Sequence, residues 1–195
     1  MTATLHAPAL PISTPQTDTG RASSGQTSAE QTSTVQISGT QLKSETKQTA
    51  EAQSLEGVRL YDEGRFAEAE AAFRSVIRLE PDNALAYYDL GITLRELGRY
   101  AEVVSAMQTV IRYRPEDTFA YYEMGQAQSA QGLWVEAEET FRAVIHLEPE
   151  DVPAYEALSE ALSQQGRSEE ALAAYETAVR LDVANVFCLK APDDC

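Results

Sequence analysis

The sequence predicts an all-α solenoid, four tandem helical hairpins preceded by a disordered N-terminal tail. Two observations carry this. Landmark residues recur every 34 positions between residues 50 and 184, and the apolar residues between them fall at helical spacing. A third observation, an abrupt change of composition near Thr49, separates tail from repeats.

In the tail, Ser, Thr and Gln fill 24 of the first 50 positions, and aromatic residues are absent. Three acids (Asp18, Glu30, Glu45) balance three bases (Arg21, Lys43, Lys47). Such a segment buries too little apolar surface to offset the entropy of ordering, so residues 1–49 are expected to be disordered. Gln26, Gln31, Gln36 and Gln41 recur every five residues, a period that fits neither helix nor strand.

The repeats are placed at 50–83, 84–117, 118–151 and 152–185. Pro81, Pro115 and Pro149 stand 34 apart, each followed by an acid (Asp82, Glu116, Glu150). Gly64, Gly98, Gly132 and Gly166 keep the same spacing, as do Gly57, Gly91 and Gly125. Phe73, Met107, Phe141 and Tyr175 form one apolar register, and Ile77, Ile111, Ile145 and Val179 another. In the second copy, helices are expected over 84–97 and 101–113, with Tyr87, Leu90 and Leu94 on one apolar face and Val103, Met107, Val110 and Ile111 on the other. Gly98 and its equivalents suit the left-handed residue that closes a first helix. The prolines end each second helix by removing an N–H and fixing φ. Gly57, Gly91 and Gly125 sit inside helices at a cost of ~1 kcal/mol each, which implies close approach by a neighbouring helix.

Charges keep the same ruler. Glu68, Glu102, Glu136 and Glu170 are expected at the start of each second helix, and Arg78, Arg112, His146 and Arg180 in its last turn, complementing the helix dipole. His146 is thereby read as a basic helix-end residue rather than a ligand or catalyst.

These residues resemble the tetratricopeptide repeat family. Tyr121, Met124, Gly125, Ala137, Phe141 and Pro149 in the third copy occupy the family's signature slots, as do Tyr87, Leu90, Gly91, Met107 and Pro115 in the second, where Val103 replaces the usual alanine. The first copy keeps Gly57, Ala69, Phe73 and Pro81; the fourth keeps Tyr155, Leu158, Ala171 and Tyr175 but has Val183 in place of proline. The resemblance implies a right-handed α-α superhelix whose first helices line a concave, partner-binding groove. The residues so placed are Leu85, Tyr88, Asp89, Ile92, Arg95 and Glu96 in the second copy; Phe119, Tyr122, Glu123, Gln126 and Ser129 in the third; and Glu156, Glu160 and Ser163 in the fourth. Family members that grip a chaperone's C-terminal carboxylate use cations in this groove. Here the corresponding positions hold Ser54, Val58, Asp89, Phe119 and Glu123, or one copy later Tyr88, Ile92, Glu123, Pro153 and Ala157. Neither set supplies the cations, and the acids would repel a carboxylate.

The function expected is that of a protein-binding scaffold or assembly adaptor, taking a basic, amphipathic segment in an acidic-aromatic groove. The net charge of −16 lies wholly beyond residue 50, where 28 acids face 12 bases, which disfavours nucleic acid and anionic membranes. No catalytic residues, metal ligands or cofactors are expected: a phosphate loop, a His-Glu constellation and a nucleophile–base pair are all lacking. Cys188 and Cys195 are read as incidental. With neither a membrane-length apolar run nor a basic n-region, a soluble cytoplasmic protein is expected. Residues 186–195 are read as a tail or short cap, with Val186, Phe187, Cys188 and Leu189 folding back over the last repeat. The alternative function is self-association through that apolar cluster.

Overall fold

The computed structural model describes the backbone of residues 39–190 and the side chains of residues 41–183. Among the described residues there are eight helices: α1 (Gly39–Asp62), α2 (Phe66–Leu79), α3 (Ala84–Glu96), α4 (Tyr100–Tyr113), α5 (Thr118–Ala130), α6 (Trp134–Leu147), α7 (Val152–Gln164) and α8 (Ser168–Lys190). They form four hairpins, each helix packing on its neighbours in sequence, so the described part is an all-α solenoid. The expected bounds of α3 and α4 fall within one residue of those observed.

Each landmark does its expected work. Gly98 adopts φ 71°, with Gly64, Gly132 and Gly166 equivalent. The Gly98 N–H donates to the Arg95 carbonyl and the Arg99 N–H to that of Leu94, both at 2.9 Å, so spare carbonyls at the end of α3 are satisfied. The mid-helix glycines mark close contacts: a Cβ on Gly125 would stand 2.6 Å from the Phe141 ring, and one on Gly57 2.7 Å from that of Phe73. Phe73, Met107 and Phe141 are each at most 1% exposed. One core cluster runs from Leu60 to Ala127 through the first three copies, and a second joins Ala137 and Phe141 to Leu158, Leu162 and Ala174.

The caps of the first helices had no place in the sequence reading. Asn83, Asp117 and Asp151, also 34 apart, accept hydrogen bonds from the backbone N–H of Ala86, Ala120 and Ala154 at 3.1, 3.2 and 2.7 Å. Each satisfies an N–H that would otherwise lack a partner in the first turn.

Three expectations are corrected. Of the tail expected over 1–49, residues 1–38 lie outside the described residues, but 39–49 are helix and extend α1 outward from the first repeat. Elongating an existing helix avoids the cost of nucleation, and Gln41, Leu42, Lys43, Glu45 and Lys47 are good helix formers. Lys47 lies 4.0 Å from Glu51, one turn on. Second, residues 186–190 continue α8 and do not fold back; 191–195 lie outside the described residues. The cause is Val183, which stands where Pro81, Pro115 and Pro149 halt the other second helices. Third, Arg180 is therefore interior to α8, whereas Arg78, Arg112 and His146 do occupy last turns.

Candidate protein-binding groove

The first helices of successive hairpins approach backbone to backbone, α1 on α3, α3 on α5 and α5 on α7, whereas the described second helices stand farther apart, α2 reaching α4 through the long Arg74 side chain, 3.1 Å from Glu102. Elements that are closer on one side make a wall that curves toward that side. The concave face is therefore lined by α1, α3, α5 and α7.

A pocket of about 320 Å³ opens on this face at the junction of the first two repeats. Tyr88, Asp89, Ile92 and Arg95 from α3 and Glu123 from α5 line it, all of them expected groove residues. The sequence reading left out its other walls, Val58 and Tyr61 from α1 and the Phe73 ring from α2. Arg95 donates through Nη1 to both carboxylate oxygens of Glu123, at 2.8 and 2.7 Å, and pairs with Glu96 at 3.1 Å. Burial works against the Arg95 charge, but Glu123 and Glu96 more than offset it and leave its pKa raised. Burial, and next the charge of Glu123, also raises the Tyr88 phenol.

Asp89 is different. Its carboxylate is half-buried and, among the described residues, makes no ion pair or side-chain hydrogen bond. Burial alone pushes its pKa up to about 6.

The remaining expected residues are spread more widely. Leu85 and Phe119 are solvent-exposed, the latter at 73%. Phe119 lines a separate, shallow depression of about 600 Å³ with Arg114, Pro115, Glu116, Asp117, Thr118 and Glu148. Tyr122 packs its ring 5.9 Å from that of Phe141, and its hydroxyl accepts from the Gln126 amide at 3.1 Å. Glu156 and Glu160 are exposed on α7. The structure thus unites Tyr88, Asp89, Ile92, Arg95 and Glu123, and leaves Leu85, Phe119, Tyr122, Gln126, Glu156 and Glu160 outside that pocket.

The outer face carries ionic links of another kind. Arg99 binds Glu70 of the preceding repeat at 2.7 Å and Glu102 at 2.5 Å. Arg167 does the same with Glu138 and Glu170, both at 2.5 Å. These acids are engaged within the chain and offer little to a partner. No described helix is long and apolar enough to cross a membrane.

Hairpins stacked in this way define a helical-repeat solenoid. Models of the tetratricopeptide repeat match residues 60–129 and 122–185, and the chain belongs to the tetratricopeptide repeat family. No curated protein matches it. Among solved structures it is similar to MamA, at 21% identity over 75% of this chain and 86% of that one, with a TM-score of 0.69. A second MamA structure, from Desulfovibrio magneticus RS-1, is 21% identical over 69% of this chain and 76% of that one, with a TM-score of 0.66. The first repeat domain of Spaghetti (RPAP3), bound to the HSP90 peptide SRMEEVD, is 21% identical over 61% of this chain and 94% of that one, with a TM-score of 0.58. At these identities the likeness is one of fold.

Proposed function

We propose that the protein is an interaction scaffold whose concave groove captures a partner segment bearing basic and apolar side chains. The observation that carries this reading is the groove pocket, in which aromatic and aliphatic walls surround more carboxylates than cations. Tyrosine rings supply large contact areas at low entropic cost, and carboxylates beside them favour a cationic ligand. The repeat fold is a scaffold, and nothing in the groove resembles the paired acid, base and nucleophile of a hydrolase. An anionic tail like the peptide held by RPAP3 would meet Asp89 and Glu123 rather than free cations.

Selection from a displayed random-peptide library on the immobilised full chain tests this. Recovered peptides are expected to combine Lys or Arg with apolar residues, and to bind about tenfold more weakly when salt rises from about 50 to 300 mM. Leu85→Lys with Phe119→Lys, both at exposed positions, should weaken them further by removing apolar contact and adding like charge, while the helical circular dichroism persists. Acidic or salt-insensitive consensus peptides would remove the reading.

A second reading, self-association through the C-terminal end, draws on the outer face of α8. Leu172, Tyr175, Val179 and Val183 are 57, 53, 45 and 48% exposed. Tyr175 continues the register that is buried as Phe73, Met107 and Phe141, and no following hairpin covers it among the described residues.

A further inference from the structure

The repeat supplies its own control for the Asp89 pocket. Arg95 of the second repeat and Glu123 of the third stand 28 residues apart and are joined by two hydrogen bonds. One repeat earlier the same two places are held by Tyr61 and Asp89. The acid is kept and its cation is not. Tyr61 is committed elsewhere, its ring edge-on to Phe66 at 5.3 Å between centroids and its hydroxyl donating to Glu96 at 3.4 Å. Arg95, the only cation among the described residues lining the pocket, is consumed by Glu123 and Glu96. A half-buried carboxylate therefore faces a cavity with apolar walls, where the quasi-equivalent site holds a guanidinium.

We infer that this pocket is a subsite for one cationic side chain of the bound partner segment, lysine or arginine. Asp89 takes its charged end, and Val58, Tyr61, Tyr88 and Ile92 pack along its alkyl stem. The inference rests on the groove reading above and narrows it to one residue of the ligand. The energetic argument is that of a missing counter-ion. A carboxylate already stripped of part of its water gains more from a cation than an exposed one does, because its desolvation is met by the fold and not by the ligand. Long side chains such as lysine bury their methylenes against apolar surface while the head seeks a charge.

The test is an NMR titration of the full chain, labelled with nitrogen-15, using N-acetyl-lysine methylamide, its arginine counterpart and the neutral norleucine analogue as probes. Shift changes are expected at Val58, Tyr61, Tyr88, Asp89 and Ile92, with the cations bound about fivefold or more tightly than norleucine. Asp89→Asn should erase that preference. Tyr61→Arg should abolish cation binding by supplying the absent internal partner, and the preserved remainder of the spectrum will show that the fold survives. Among the described residues, Tyr61 on α1, Tyr88 and Arg95 on α3 and Glu123 on α5 are the titratable or charged groups that share the pocket with Asp89, and α2 presents Phe73. Protonation of Asp89 near pH 6 should weaken the cations about tenfold between pH 7.5 and 5. Equal binding of norleucine and lysine, or cation binding unchanged in Asp89→Asn, would overturn the subsite. A library-selected peptide that binds wild type and Asp89→Asn alike overturns the subsite but leaves the groove reading intact. Cation binding at Asp89 with no peptide recovered does the reverse.

Discussion

Asp89 is held at a cost to the fold. Its folded pKa of about 6 lies above the ~3.9 of an unfolded aspartate, so between those values the folded state binds more protons than the unfolded one. Stability from this group therefore falls as pH rises through that window; the cost is complete above pH ~6 and absent below ~3.9. Asp89→Asn keeps the shape and removes the charge. It should raise stability at pH 7.5 by roughly 1 kcal/mol, after allowance for the solvent that reaches this half-buried group, and by nothing at pH 3. Thermal unfolding of both proteins at the two pH values checks this, and equal melting temperatures at pH 7.5 would show that the charge is not strained. The sequence placed Asp89 on the groove but could not separate it from Glu123, since both are acids at one register position. What distinguishes them is position 28 residues earlier, Arg95 for one and Tyr61 for the other. That relation crosses a repeat boundary and has no meaning until the hairpins are stacked.

At the scale of elements, the helices were legible because their signals are local. Glycines close first helices, prolines halt second helices, and apolar residues return every third or fourth place. The errors lay at both ends, where the repeat stops constraining the chain. Polar composition argued for disorder up to Thr49, yet a first repeat that nucleates a helix extends it cheaply backward to Gly39. At the other end Val183 stands in place of the proline, so the second helix runs on to Lys190, where the apolar residues after it suggest a folded cap from sequence alone. The caps are hidden in the sequence because the acid directly after each proline is the more conspicuous helix-start signal. The residue that bonds the helix is the next one, so the two acids at 116 and 117 should behave differently. Asp117→Ala should cost about 1 kcal/mol in urea denaturation, whereas exposed Glu116→Ala should stay within about 0.5 kcal/mol. Equal effects would mean that bulk charge near the helix start, and not the Asp117 hydrogen bond to Ala120, holds the turn.

For the molecule as a whole, the two ends are chemically unlike, and this limits how copies could associate. At the start of the stack Arg59 lies between Glu56 and Glu63 and hydrogen-bonds to both, while Leu42, Leu55 and Val58 are exposed on the same helix, so α1 presents a mixed surface of satisfied ion pairs and separate apolar side chains. At the far end, α8 presents Leu172, Tyr175, Val179 and Val183. A head-to-tail filament would set that apolar stripe against the mixed surface of the next copy's α1, where contact with its leucines also desolvates the Arg59 ion pairs without new partners. Two α8 stripes brought together bury apolar surface on both sides and close on a two-fold axis, leaving no further end to extend. On the self-association reading the species in solution is accordingly a dimer that does not grow with concentration. Light scattering coupled to size exclusion at tens of micromolar should find it, and Val179→Glu should return it to monomer with the helical spectrum unchanged. A mass that climbs with concentration would contradict the closed pair, and a monomer at every concentration would remove the self-association reading.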